Sequence, residues 1–149
     1  MSKKCVASCL LVLIWMSLIF MISHTPNDAS YEASKEIVSS VVGNTATNTM
    51  VLNGMTLNKL VRKLAHVVEY FVLSMLVINA LKNYNLTNKQ LYMYSLTLCT
   101  LYACSDEIHQ YFVGRSASIS DILIDTCGIV IGILLYKLYL EYKSKRLMN

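Results

Sequence analysis

From Cys5 to Ile22 the chain runs 18 residues without a charged side chain. As a helix rising about 1.5 Å per residue this stretch is about 27 Å long, close to the hydrocarbon thickness of a bilayer. Lys3 and Lys4 precede it, so it reads either as a secretory leader or as a first membrane span. Its length exceeds the roughly 7 to 15 apolar residues of a leader, and Ser23-His24-Thr25-Pro26 lacks a small-residue cleavage pattern. A retained span is therefore expected. The run Val6-Ala7-Ser8-Cys9 superficially resembles a lipoprotein box, but such a box must follow its apolar stretch rather than precede it.

The rest of the 149 residues agrees with this start: 55% of the chain is hydrophobic and only 15% is charged. A soluble domain of this size needs a larger charged surface, so the chain belongs to the membrane class, with one domain over residues 1–149. The net charge of +4 is spread over ends and links rather than gathered in a stripe, which excludes a nucleic-acid partner. Cys5, Cys9, Cys99, Cys104 and Cys127 lie in or beside apolar runs without the paired spacing of a zinc site. They read as small buried residues, and no metal or cofactor is expected.

Three further spans follow, at about 64–81, 91–113 and 119–140, giving an all-α antiparallel bundle of four transmembrane helices. The second opens after Arg62-Lys63, and Val67, Phe71, Val72, Met75 and Val77 read as its apolar face. Nothing from Leu91 to Val113 is Pro or Gly, so the third helix is expected to continue through Asp106-Glu107-Ile108-His109-Gln110 and to break at Gly114-Arg115-Ser116. Its tyrosines Tyr92, Tyr94 and Tyr102 read as interfacial or packing residues. Between the first two spans the chain turns polar. From Ser23 to Lys59 it reads as a loop, Asn/Thr-rich from Gly43 to Thr49, within which Tyr31, Ile37, Val38, Val41 and Val42 allow a short amphipathic helix in the membrane interface.

Cation counting orients the bundle. Lys3, Lys4, Lys82, Lys89, Lys143, Lys145 and Arg146 lie on the side of the termini, against Lys35, Lys59, Arg62, Lys63 and Arg115 on the other. Both termini are therefore expected in the cytoplasm. Glu69 then lies roughly 8 Å into the second span, Asp125 roughly 9 Å into the fourth, and Asp106 and Glu107 roughly 22 to 24 Å along the third, which runs the opposite way. The acids meet in one layer near the outer face. Helical spacing places His66 beside Glu69 and Tyr70, and Gln110 beside Asp106 and Glu107. Asp121, Asp125, Gly128 and Gly132 fall on a single stripe, so the last acids share a face with a Gly-xxx-Gly contact.

These motifs, Lys63-x-x-His66-x-x-Glu69-Tyr70, Asp106-Glu107-x-x-Gln110-x-Phe112, and Gly114-Arg115 before Asp121-x-x-x-Asp125-x-x-Gly128-x-x-x-Gly132, resemble the VanZ family of bacterial membrane proteins. That family takes its name from an accessory protein of glycopeptide-resistance clusters associated with teicoplanin tolerance. The resemblance covers most of the chain, including Ser23 and Pro26, and departs where Val113 stands in place of a proline before Gly114. It implies four spans, the bacterial cytoplasmic membrane and a role in envelope or lipoglycopeptide stress, but supplies no reaction.

Charged groups at depth cost several kcal/mol unless paired, which marks the layer as a functional candidate. His66, Glu69, Asp106 and Glu107 are the candidate acid/base residues, and Lys63, Tyr70, Gln110, Arg115, Asp121 and Asp125 the candidate binding residues. The expected partner beyond the bilayer is a lipid-linked envelope molecule or a lipoglycopeptide. An enzyme acting on such a lipid, a binder without turnover, and a structural partner of envelope enzymes are the competing readings. Pairing of Arg62, Lys63 or Arg115 with the acids would favour the last. A divalent cation is a further option, although no compact motif such as HExxH is present.

Overall fold

A computed structural model describes residues 3–25, 27–42, 50–52, 55–114 and 118–148. The elements are α1 (Lys3–Ser23), α2 (Asn27–Val42), β1 (Met50–Leu52), β2 (Met55–Thr56), α3 (Leu57–Leu81), α4 (Asn88–Phe112) and α5 (Ile119–Met148). The architecture is helical apart from one short antiparallel pair, β1 with β2, in which Met50 faces Thr56 and Leu52 faces Met55. Sequence reading treats that segment as loop. The expected loop from Gly43 to Thr49 lies outside the described residues, as do Pro26 and Arg115.

Local chemistry sets the helix ends. Thr56 caps α3 by accepting the Lys59 backbone N–H at 3.4 Å, so the helix starts seven residues before its apolar run. Asn83 closes it by donating to the Asn79 and Ala80 carbonyls at 3.1 and 3.0 Å. A capping box of Thr87 and Gln90 starts α4. That helix runs through Asp106 to Gln110 and stops at Phe112, before Gly114 takes a φ of +78° that L side chains avoid. The basic tail continues α5 instead of following it.

In α3 the protein-facing side coincides with the expected apolar stripe only at Val77. Tyr70, Leu73, Ser74, Val77, Ala80 and Ile78 are buried, while Val68 is 58% exposed and Val67, Phe71, Val72 and Met75 are only partly covered. Lipid accepts the exposed aliphatic groups, and the buried side mixes large apolar residues, Val77 of the expected face among them, with the small Ser74 and Ala80. The same logic turns α1 outward: Leu13 and Met21 are 58% and 66% exposed, and Cys5, Ile19 and Ser23 are its buried residues. Cysteine burial is also mixed. Cys5 and Cys99 are buried, but Cys9 and Cys104 are half-buried and Cys127 is exposed, because its place on α5 points away from α3. On α2, Val38 is buried whereas Ile37 and Val41 face outward.

Among the described residues α1, α3 and α5 are long and apolar enough to cross a membrane. The 25 residues of α4 are long enough but carry Lys89, Asp106, Glu107 and many Thr, Ser and Tyr side chains. α3 is the hub. It runs antiparallel to α1, as the contacts Trp15 to Glu69 and Ser8 to Asn79 show, and parallel to α5. Along the α3–α5 seam Lys63 meets Asp121, His66 meets Asp125, and Gly128 and Gly132 sit against the backbone of Val67 and Phe71. A Cβ on Gly128 would press into the Val67 carbonyl; one on Gly132 would strike the Ser74 hydroxyl and come within 2.9 Å of the Phe71 carbonyl oxygen.

Gly132→Leu is therefore expected to lower stability by roughly 1–3 kcal/mol and to reduce the folded yield in detergent. Ile133→Leu, a change of shape at nearly constant volume on the next residue, is expected to leave both close to wild type. Equal yields of the two variants by size-exclusion chromatography would show that the seam is not tightly packed.

Candidate functional site

Near the Ser23 end of α1 the four long helices bring their polar residues together in two groups. In the first, the Ser23 hydroxyl donates to Asp106 Oδ2 at 2.8 Å and the Gln110 amide donates to the same oxygen at 2.9 Å. The Gln110 amide also reaches the Ser23 hydroxyl at 3.5 Å. Asp106 is 3% exposed, so in an apolar surrounding these neutral donors replace part of its hydration. Its other oxygen, Oδ1, is buried without a hydrogen-bond partner.

The second group centres on an imidazole. His66 Nδ1 lies 3.5 Å from Asp125 Oδ1 and 3.8 Å from Glu69 Oε2, so one ring nitrogen faces two carboxylates from α5 and α3. Asp125 is 1% exposed. Trp15 fastens the same turn of α3 to α1, donating from its indole to the Glu69 carbonyl at 3.0 Å. Tyr70 stands between the groups, within electrostatic reach of Asp106, Asp125 and Glu69. It is fully buried, and its hydroxyl has no hydrogen-bond partner.

The remaining candidates separate from this centre. Lys63 pairs with Asp121 at 2.5 Å at the half-buried rim. Glu107 does not meet Gln110; its Oε1 accepts the Ser118 backbone N–H at 2.6 Å. The reason is angular, since consecutive helix residues point about 100° apart and Asp106 already faces the interior toward α1. Arg115 lies outside the described residues. Among the described residues no group of three or more His, Cys, Asp or Glu side chains is arranged to hold a metal ion.

Two contributors are missed when residues are read singly. Ser23, noted in the sequence only as part of a resemblance, is the donor that ties α1 to Asp106. His109, which as a lone histidine reads as solvated, places Nε2 3.2 Å from His24 Nδ1, and its ring stacks on Phe20 with centroids 4.2 Å apart. The only earlier signal for this pair is that His24 and His109 each follow a layer residue by one to three positions on helices that run the same way.

Chemically the centre can accept, hold and pass a proton. An imidazole between two carboxylates and a half-satisfied aspartate supply a base, an acid and a spare acceptor at one depth. Burial of Asp106 and Asp125 away from water strengthens such contacts relative to those at an exposed surface.

The sequence model of the VanZ/LLP1 family matches residues 8–140, a range that holds both groups and the α3–α5 seam. No curated protein and no solved structure matches the chain. With a match over most of its length, and with helices suited to a bilayer, this membrane protein belongs to the VanZ/LLP1 family.

Proposed function

We propose that the protein is a four-span VanZ-like component of the bacterial cytoplasmic membrane whose polar layer, near the outer face, exchanges protons with a lipid-linked envelope molecule, and that this activity underlies glycopeptide tolerance of the teicoplanin type. In this reading α4 is the fourth span, carried through the bilayer by its contacts with α3 and α5. α2 lies in the interface, and both termini are cytoplasmic. His66 is the proton carrier, Glu69 and Asp125 orient its ring, and Asp106 accepts a hydrogen bond from the bound molecule.

The observation that carries the reading is the company kept by Asp106 and Asp125. Register-fixing acids are expected to pair with Lys or Arg, yet among the described residues these two make no such pair and are met by Ser23, Gln110 and His66. A carboxylate at the bilayer centre costs about 3 kcal/mol on insertion scales, and neutral donors offset only part of that. Acids held in this way trade stability for chemistry. The Lys63 pair with Asp121 fits a purely structural role.

Glu69→Gln and His66→Gln are expected to abolish teicoplanin tolerance in a sensitive host, while expression and melting temperature stay within about 1 kcal/mol of wild-type stability or rise. Normal expression with full tolerance in both variants would remove the chemical reading. Loss of tolerance in step with loss of melting temperature would favour the structural one. Topology is tested separately: a reporter fused at Asn149 should remain cytoplasmic while a cysteine tag near Gly43 labels from outside the cell. Labelling of both from outside would contradict the four-span arrangement.

A further inference from the structure

Just past the end of α1 and in the last turn of α4 stand two histidines that the polar layer does not use. His24 Nδ1 and His109 Nε2 lie 3.2 Å apart. Their ring planes differ by 20° with centroids 5.4 Å apart, so the rings meet edge to edge through these two nitrogens. His24 is exposed and His109 half-buried. Because His24 also lies just beyond the uncharged run that ends at Ile22, the pair is reached from water.

We propose that His24 and His109 form a two-ligand site for a divalent transition-metal ion of the zinc class, which clips the end of α1 to α4. The inference goes beyond the function proposed above and does not depend on it. The separation of the nitrogens carries it. Zinc holds imidazole nitrogens at about 2.0–2.1 Å in a tetrahedral arrangement, which sets two of them about 3.3–3.4 Å apart. The 3.2 Å between His24 and His109 is close to that spacing, so the helices need not move to accept an ion. In the hydrogen-bonded pair one ring donates an N–H to the other. The ion replaces that proton and stands to one side of the line between the nitrogens, which requires only a turn of each ring about its side-chain bonds. Imidazole nitrogen selects zinc, copper and nickel over magnesium and calcium, which prefer oxygen.

The rings are held in place for this. The His24 backbone N–H donates to the Phe20 carbonyl at 2.9 Å, which keeps His24 on the helical path of α1. The Phe20 ring stacks on His109 with centroids 4.2 Å apart and lies 6.3 Å from His24 in a nearly parallel plane, so one aromatic plate aligns both imidazoles. Two protein ligands give a modest affinity, with water completing the coordination. The value of the site lies in its position. Ser23 and Gln110, the two donors to Asp106 Oδ2, are each next in sequence to one of the histidines, so an ion here fixes the spacing of both donors.

The chain has three histidines, and each can be followed singly. Tag-free full-length protein in detergent, with its accessible thiols blocked, should bind zinc with a Kd below about 100 µM and should not bind magnesium at the same concentration. His24→Gln and His109→Gln should each weaken zinc binding at least about tenfold and remove the rise in melting temperature that zinc brings, whereas His66→Gln should retain zinc binding. A second measurement needs no variant and decides the matter if a substituted chain fails to fold. Zinc should protect His24 and His109 together from acylation by diethyl pyrocarbonate, read by peptide mass spectrometry, and leave the labelling of His66 unchanged. No zinc binding below about 100 µM, undiminished binding in both His24→Gln and His109→Gln, or protection confined to His66 overturns the site.

Discussion

The close parallel contact of α3 with α5 is the constraint on which the other features depend. Gly128 and Gly132 let the α3 backbone approach where any side chain would strike the Val67 or Phe71 carbonyl. With the two helices held at that distance, the preceding turns fall into step, and Lys63 meets Asp121 while His66 meets Asp125. Little hydrophobic force draws helices together in lipid, so a seam of small residues and polar pairs takes over the role of an apolar core. The buried aliphatic cluster around Ile19, Leu73, Val77 and Ile129 fills the space beside this seam.

From the seam the site follows by geometry. His66 sits directly before Val67, the first close glycine contact, and the same stretch of α3 carries Glu69 and Tyr70. α1 is fastened at this level by Trp15 and by Ser23, and α4 by the Tyr102 hydroxyl, which donates to the Met16 carbonyl at 2.6 Å. Four helices thus supply one polar layer, while their outer faces remain apolar. Burial of Asp106 and Asp125 among neutral donors and an imidazole makes the layer expensive to maintain.

The sequence carries this layer unusually openly, because charges in long apolar runs stand out and helical spacing fixes which of them share a face. His66 with Glu69, Asp106 with Gln110, and the stripe from Asp121 to Gly132 are readable from intervals of three and four alone. What those intervals cannot give is the partner across a helix interface. Glu107 turns to Ser118 and away from Gln110, and Ser23 becomes a donor to a residue 83 positions away. Helix ends escape for a different reason. Thr56 and Thr87 begin α3 and α4 through capping hydrogen bonds, outside the apolar runs that hydropathy detects. The apolar face of α3 is read only in part, because hydropathy does not separate lipid-facing from helix-facing side chains: Val77 is buried while Val67, Phe71, Val72 and Met75 are partly covered.

The central claim is that α3 and α5 lie parallel and in close register at their glycines, and a cross-link reads this directly. In a chain whose five native cysteines are replaced by serine, Lys63→Cys with Asp121→Cys places two thiols at facing positions of the seam without adding a side chain at either glycine. A short thiol-specific bridging reagent in native membranes should cross-link this pair nearly completely and leave Lys63→Cys with Asp125→Cys, one turn out of step, unlinked. No cross-link in the first pair, or equal cross-linking in both, would contradict the register and with it the placement of the polar layer.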